Sequence, residues 1–146
     1  MSLNRKSLGG FAIVFFAGVA AGRLLPSTPV VHAQGDHRVF ELRTYTAPEG
    51  KLPDLQARFR NHTIRIFNKH NMTSIGYWVP QDAPNSQNTL IYIVSHQSRE
   101  AAKKNWADFQ ADPEWQKVSA ESQVNGRIVS KVESVFMDAT DFSPIK

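Results

Sequence analysis

Cysteine is absent from the chain of 146 residues. Its absence excludes disulfides, thiol catalysis, and zinc or iron–sulfur sites that depend on cysteine ligands. The chain also lacks a glycine-rich phosphate loop, a nucleophile elbow and a zinc motif, the signatures of several large enzyme classes. His62 and His70 lie two helical turns apart, too far for the usual metal-binding pair. We therefore expect no metal site.

Acidic residues are missing from the start of the chain, since none precedes Asp36. Two basic residues near the N-terminus are followed by an apolar stretch at 8–22 and by a small-residue pattern ending at Ala33, which is typical of a signal peptide. The apolar stretch is shorter than the roughly 20 residues that span a bilayer. We predict a signal peptide over residues 1–33, cleaved after Ala33, and a periplasmic or secreted protein. The alternatives are an uncleaved membrane anchor and, third, a mitochondrial presequence.

The excess of positive charge belongs largely to this leader. The whole chain carries a formal charge of +4, but residues 1–33 hold three of its 17 basic residues and no acidic one. The remainder is close to neutral, so we expect no nucleic-acid partner. About 113 residues remain, which fits one domain, predicted over residues 38–140.

Alternation and helical periodicity predict the order β-α-β-β-α-β. The predicted strands are Val39–Thr46, Thr73–Val79, Thr89–His96 and Ile128–Met137; the predicted helices are Lys51–His70 and Arg99–Gln110, with a restart capped by Asp112 and Pro113. This order is typical of an α+β, ferredoxin-like fold with a four-stranded antiparallel sheet, strand order 4-1-3-2, and both helices on one face.

The first strand has two faces of different character. We predict that Phe40 and Leu42 point toward the helices, together with Ile75 or Trp78, Ile91, Ile93 and Ile128. Glu41, Arg43 and Tyr45 would then occupy the opposite face, beside Lys131 and Glu133 of the last strand. Cross-strand charge pairing is the favoured interpretation of that face, and ligand contact is the alternative.

Four ordered motifs resemble a known family. They are V-F-E-L-R-T-Y-T from Val39, F-x-x-H at Phe59–His62, K-H-N-M-T-S-I-G-Y-W at Lys69–Trp78, and D-P-E-W at Asp112–Trp115. Over residues 38–140 the set is similar to a NIPSNAP domain. The resemblance implies a dimeric α/β barrel, in which the sheets of two subunits face one another, and hence a homodimer. The same superfamily includes cofactor-independent monooxygenases and haem proteins, but the family has no agreed catalytic motif, so catalytic residues and enzyme activity stay undecided.

The remaining candidates are histidines and aromatic residues. His62, His70 and His96 are each candidates for a haem ligand or a general base, although a structural hydrogen-bonding role is favoured for all three. Eight aromatic residues are candidates either for the core or for a pocket that accepts a small apolar or aromatic ligand: Tyr45, Phe59, Tyr77, Trp78, Tyr92, Trp106, Phe109 and Trp115.

These features favour an exported, homodimeric, small-molecule-binding domain of unassigned activity, with no cofactor. The alternatives are a cofactor-independent monooxygenase and a haem-binding protein. Any membrane contact would pass through an uncleaved N-terminal segment.

Overall fold

The computed structural model describes residues 38–146, in which strands and helices alternate in the predicted order. The predicted signal peptide lies outside these residues. Within residues 38–146, no helix has both the length and the apolar character needed to cross a membrane.

Four strands form one antiparallel sheet. They are β1 (Val39–Thr46), β2 (Thr73–Trp78), β3 (Thr89–His96) and β4 (Lys131–Met137), in the spatial order β2-β3-β1-β4. This order is the predicted one, and the predicted bounds of β1 and β3 are confirmed. The last strand starts three residues later than predicted, at Lys131, because the backbone bends at Ile128 and Ser130 before pairing begins.

Two helical layers connect the strands. The first contains α1 (Leu52–Arg58), a π-helical segment (Phe59–Thr63) and α2 (Ile64–Lys69); the second contains α3 (Arg99–Ala111) and α4 (Pro113–Glu121); a short 3-10 turn, Asn85–Gln87, lies in the β2–β3 loop. The predicted caps are confirmed: Ser98 Oγ accepts from Ala101 N at 3.0 Å, and Asp112 Oδ1 accepts from Glu114 N at 2.8 Å. Asn71 ends the first layer with a φ of 57°, a left-handed conformation that asparagine tolerates.

The π-helical segment corrects the prediction of one uninterrupted helix over Lys51–His70. The N–H of Ile64 bonds the carbonyl of Phe59, five residues earlier, and Thr63 Oγ1 donates to the carbonyl of Arg58 at 3.3 Å. A π turn adds one residue to the helical repeat, so it shifts the phase of every side chain around it. Arg58 precedes this turn and keeps its regular α-helical phase. It is nevertheless only 7 % exposed, because it lies at the edge of the apolar stripe of α1 and packs against the end of α4, where its Nη1 donates to Ser122 Oγ.

The orientation of β1 is opposite to the predicted one. Glu41 is buried and accepts a hydrogen bond from Trp106 of α3, so the face carrying Glu41, Arg43 and Tyr45 points toward the helices. Alternation identifies the two faces of a strand but not which of them is covered. The polar groups of this face pair with one another, which allows a face with two charged residues to be buried.

The residues paired with β1 also occupy the opposite faces from those predicted. Arg43 lies opposite Ser134 and Tyr92, whereas Lys131 and Glu133 lie opposite Thr46 and Thr44, on the other face. The predicted proximity of Glu41, Arg43 and Tyr45 to Lys131 and Glu133 is therefore wrong. Of the residues predicted to face the helices, Ile128 is buried beneath them, at 1 % exposure.

The face of the sheet that carries no helix is called the open face below; it has a large apolar region, with Lys131 and Glu133 at one end of β4. Leu42 lies at its centre, opposite Ile93 on one side and Val135 on the other. Trp78 and Val135 on this face are 50 % and 54 % exposed. Near Met137, a groove of about 260 Å³ separates one end of the face from the C-terminal segment. Its apolar members are Phe40, Leu42, Ile75, Trp78, Ile91, Ile93, Val135 and Met137.

Candidate functional site

A buried carboxylate organises the helix-facing side of β1. Glu41 is 1 % exposed, and its Oε1 accepts from Arg43 Nη1 at 2.7 Å and from Ser134 Oγ at 2.6 Å. Its Oε2 accepts from Trp106 Nε1 at 2.6 Å and lies 3.3 Å from His96 Nε2. Each carboxylate oxygen therefore has two partners, and the negative charge is compensated by Arg43.

The neighbouring amide assigns the tautomer of His96. Asn105 Nδ2 lies 3.2 Å from the carbonyl oxygen of Asn71 and 3.2 Å from His96 Nδ1. Because the amide nitrogen must donate to that carbonyl, it also donates to Nδ1, which leaves the proton of the neutral ring on Nε2, facing Glu41. Both ring nitrogens of His96 are engaged, and its side chain is fully buried.

The network keeps Glu41 ionised. Burial alone would raise the pKa of this carboxyl group, but hydrogen bonds from His96, Ser134 and Trp106, together with the charge of Arg43, lower the pKa from 4.5 to about 2. A carboxylate that already accepts four hydrogen bonds has little capacity left for a substrate. The arrangement is that of a structural ion pair joining β1, β3, β4 and α3.

Arg43 continues from this network into an aromatic cluster. Its guanidinium lies 4.1 Å from the ring centroid of Trp106 and 5.5 Å from that of Tyr45, a cation–π geometry. The ring of Tyr45 packs edge-on against Tyr92 at 5.2 Å. Tyr92 is fully buried, and burial raises the pKa of its phenol.

Seven of the eight candidate aromatic residues lie between the sheet and the helices, where their rings pack at centroid distances of 4.3–6.1 Å, together with Phe67. They are Tyr45, Phe59, Tyr77, Tyr92, Trp106, Phe109 and Trp115. Trp78 is the exception, since it lies half exposed on the open face, with its ring over Gly76. Most of these aromatic side chains fill the space beneath the sheet, while Phe59 and Tyr77, together with Trp78, line a second cleft of about 350 Å³ between the first helical layer and β2.

Three polar atoms in this region have no hydrogen-bond partner: Arg43 Nε, Arg58 Nε and the hydroxyl of Tyr92. Buried polar atoms are nearly always paired, so each exception calls for an explanation. Tyr45 and Tyr92 are close enough to both guanidinium groups to influence their pKa values. The unpaired atoms therefore belong to one neighbourhood, called the arginine–tyrosine cluster below: Arg43, Tyr45, Arg58 and Tyr92.

A surface cleft reaches one member of this cluster, Arg58. It has a volume of about 330 Å³ and lies between the first helical layer and α4, with Arg58 in its lining. Arg58 Nη1 donates to Ser122 Oγ at 3.4 Å, and its guanidinium lies 5.1 Å from the ring centroid of Trp115. The lining residues are Asp54, Ala57, Arg58, Asn61, His62, Val118, Glu121, Ser122, Val124 and Asn125. This space is called the helical cleft below.

Comparison with known proteins adds a family to this geometry. The NIPSNAP family profile matches residues 40–144, which is more than half of the chain. The chain belongs to the NIPSNAP family. No curated protein gives a significant match.

Solved NIPSNAP structures share the fold. A NIPSNAP family protein of unknown function from Agrobacterium tumefaciens superposes with a TM-score of 0.66 at 23 % identity, covering 80 % of this chain and 100 % of that one. A second one from the same organism gives a TM-score of 0.66 at 24 % identity, covering 75 % and 100 %. An uncharacterised NIPSNAP-like domain protein from Burkholderia xenovorans gives 0.65 at 20 % identity, covering 75 % and 90 %. These similarities confirm the predicted ferredoxin-like fold.

The three candidate histidines of this NIPSNAP domain have separate environments. His62 is exposed at the helical cleft, His96 is buried in the Glu41 network, and His70 Nε2 lies 2.6 Å from Asp112 Oδ2. Iron ligation by His96 would break one of its two hydrogen bonds, so His62 is the histidine best placed for a ligand. The general-base and haem roles stay predictions. Among residues 38–146, no group of three or more His, Asp or Glu residues could hold a metal ion.

Asp112 of the D-P-E-W motif joins the two helical layers. Besides capping α4, it accepts from Lys69 Nζ at 2.7 Å and pairs with His70. Hydrogen bonds from Lys69 and His70 hold the pKa of this carboxyl well below its usual range. The motif is thus a helix junction, as the capping pattern predicts.

Lys131 and Glu133 form an exposed pair of their own, at 2.9 Å on β4. They make no contact with the helical cleft. Pairs of this kind contribute little to stability.

Three important residues of the site escaped prediction. Arg58 escaped it because it is a charged residue at the edge of the apolar stripe of α1. Asn105 and Ser134 escaped it because they look like ordinary polar positions on a helix and on a serine-containing strand. For Asn105 and Ser134, a weak sequence signal of burial is their spacing. Asn105 precedes Trp106, and Ser134 lies between Val132 and Phe136 on the helix-facing side.

Proposed function

We propose that this NIPSNAP protein is an exported homodimer that binds a small molecule in the helical cleft. The observation that carries the binding proposal is the buried Arg58 guanidinium in the lining of this cleft, which has no carboxylate partner among residues 38–146 and an Nε without an acceptor. A ligand would supply the acceptor that this guanidinium does not find within the described residues.

The cleft has the size and lining of a ligand site. Its volume of about 330 Å³ falls at the lower end of the range for small-molecule pockets, which is roughly 300–1,000 Å³. Val118 and Ala57 form an apolar part of the lining, while Asn61 and His62 contribute polar groups from the π-helical segment. Such segments occur often at functional sites.

The open face supports the homodimer. An antiparallel sheet with one covered face normally presents polar residues on the other, but here Leu42, Ile93, Trp78 and Val135 lie together on the uncovered side. Soluble monomers rarely leave large contiguous apolar patches in water. A second copy placed face to face would cover this patch, as the family resemblance implies.

Export rests on the sequence of the leader. If residues 1–33 are a signal peptide, mass spectrometry of protein recovered from the periplasmic or secreted fraction should give a chain that begins at Gln34. A leader retained in a membrane pellet would favour the anchor instead. Recovery of the protein with Met1 intact in the soluble cytoplasmic fraction would contradict export.

Ligand binding can be tested with small fragments of different polarity. A ¹⁵N-labelled sample titrated with indole, phenol, benzyl alcohol and benzoate should show saturable shifts in the amide signals of Asn61, His62 and Ser122, which surround the cleft. Amide signals of Lys104 and Asp108, on the exposed side of α3, serve as the internal reference. Shifts spread evenly over both regions, or no saturable shift with any fragment up to millimolar concentration, would argue against a ligand site in the cleft.

A further inference from the structure

Arg58 is a buried cation without a counter-charge. It is 7 % exposed, and among residues 38–146 no carboxylate lies within ion-pairing distance of it. Arg43 differs, because Glu41 neutralises it at 2.7 Å. Burial lowers the pKa of the Arg58 guanidinium, and the phenols of Tyr45 and Tyr92 offset this in part. An unpaired buried charge is among the costliest features a fold can keep.

The protein compensates this charge only partly. Ser122 lies at the C-terminal end of α4, where the helix dipole supplies a partial negative charge of roughly half a unit. The ring of Trp115 adds a cation–π contact. Neither partner reaches Arg58 Nε, which has no acceptor. One full negative charge and at least one acceptor atom are therefore missing at the floor of the helical cleft.

The rim of the helical cleft restricts which ligands could supply the missing negative charge and acceptor atom. Asp54 is paired with Lys51 at 3.2 Å and Glu121 with Lys117 at 3.9 Å, so the rim acids are balanced and Arg58 is left as the excess charge. A doubly charged phosphate would bring two negative charges to one uncompensated guanidinium, which disfavours it. A carboxylate matches a single guanidinium in charge and can bond it through two oxygens. Val118 and Ala57 leave room for an apolar body.

We propose that the helical cleft binds a monocarboxylate with a small apolar or aromatic body, its carboxylate paired with the Arg58 guanidinium. This inference rests on the proposed function and gives its ligand a chemical class. The carboxylate is bound by the Arg58 guanidinium, and a second polar group on the ligand would face Asn61 or His62 in the lining of the cleft.

Three probes that share one ring test the charge requirement. Benzoate, benzamide and phenyl phosphate should be titrated into the ¹⁵N-labelled protein while the side-chain Nε–H signal of Arg58 is followed. Benzoate should shift this signal and bind most tightly. The variant Arg58→Gln should weaken benzoate binding by about tenfold to a hundredfold, the range expected for a hydrogen bond to a charged group.

Arg60→Gln is the matched control. Arg60 is exposed and lies two residues from Arg58, and its substitution removes the same charge. It should leave benzoate affinity unchanged. Equal affinity for benzamide and benzoate, or equal losses in the two variants, would overturn the carboxylate assignment while small-molecule binding stands. If none of the three probes binds, and none of the neutral fragments used above binds, both small-molecule binding and the carboxylate assignment are overturned.

Arg58→Met distinguishes a binding role of Arg58 from a structural one. A melting temperature equal to or above that of the wild type supports a binding role, and a strong decrease in melting temperature contradicts it.

Discussion

Glu41→Gln should lower the free energy of unfolding by about 3–5 kcal/mol, the cost of removing one partner from a buried ion pair. The substitution keeps the size of the side chain but leaves Arg43 buried without a counter-charge. It also turns an amide group toward donors, since Arg43, Ser134, Trp106 and His96 all bond the native carboxylate. Domains of this kind are stable by only about 5–15 kcal/mol, so the loss would be plain in urea denaturation.

Asp108→Asn is the control for Glu41→Gln. Asp108 also pairs with a basic residue, Lys104 at 2.5 Å, but this pair is exposed on α3, away from the open face, so its loss should cost about 0–1 kcal/mol. The double variant Glu41→Gln/Arg43→Met removes the orphaned charge and should be more stable than Glu41→Gln alone. A cost for Glu41→Gln no larger than that for Asp108→Asn would show that the buried network is dispensable.

The same network predicts how stability depends on pH. The pKa of Glu41 falls from 4.5 to about 2 on folding, so the folded state binds its proton less readily than the unfolded state does. Its stabilising contribution is complete above about pH 4.5 and is lost as the pH falls through about 2. The difference in unfolding free energy between wild type and Glu41→Gln should therefore shrink over this window. A difference that stayed constant down to pH 2 would contradict the assigned ion pair.

Local chemistry made much of the fold predictable. The caps at Ser98 and Asp112 use hydrogen bonds between neighbouring residues, and the alternation in β1 and β3 records two faces within a single strand. Which face of β1 points toward the helices was not predictable in the same way, because it depends on partners distant in sequence. Glu41 is buried since Trp106 and Ser134, 65 and 93 residues away, supply its hydrogen bonds.

The helical cleft depends on a different non-local effect. In the regular repeat over Leu52, Leu55 and Phe59, Arg58 lies at the edge of the apolar stripe, where a charged residue reads as solvent-facing. It is buried because Trp115 and Ser122 of the second helical layer contact it, and Ser122 lies 64 residues away in the sequence. The residue that matters most for the proposed ligand was therefore the one that periodicity placed wrongly.

Val135→Asp should convert the proposed homodimer to monomers. Val135 is 54 % exposed on the open face, so the monomer can accept an aspartate there at little cost. In a face-to-face dimer the same carboxylate would be enclosed by apolar residues such as Leu42 and Ile93 of the open face. Two-fold symmetry repeats the buried charge in each subunit, and the dissociation constant should rise by about 100-fold or more. Light scattering across a dilution series measures the change.

Val132→Asp provides a control on the same strand. Val132 is 44 % exposed but lies on the helix-facing side, opposite Tyr45, so a face-to-face dimer would not enclose it. Both variants change a half-exposed valine to aspartate on β4, and they differ in the face that receives the charge. Dissociation of Val135→Asp alone would identify the open face as the interface. If the two variants have the same mass as the wild type, or if the wild type is monomeric at working concentration, the apolar open face must serve some purpose other than pairing two copies of the chain.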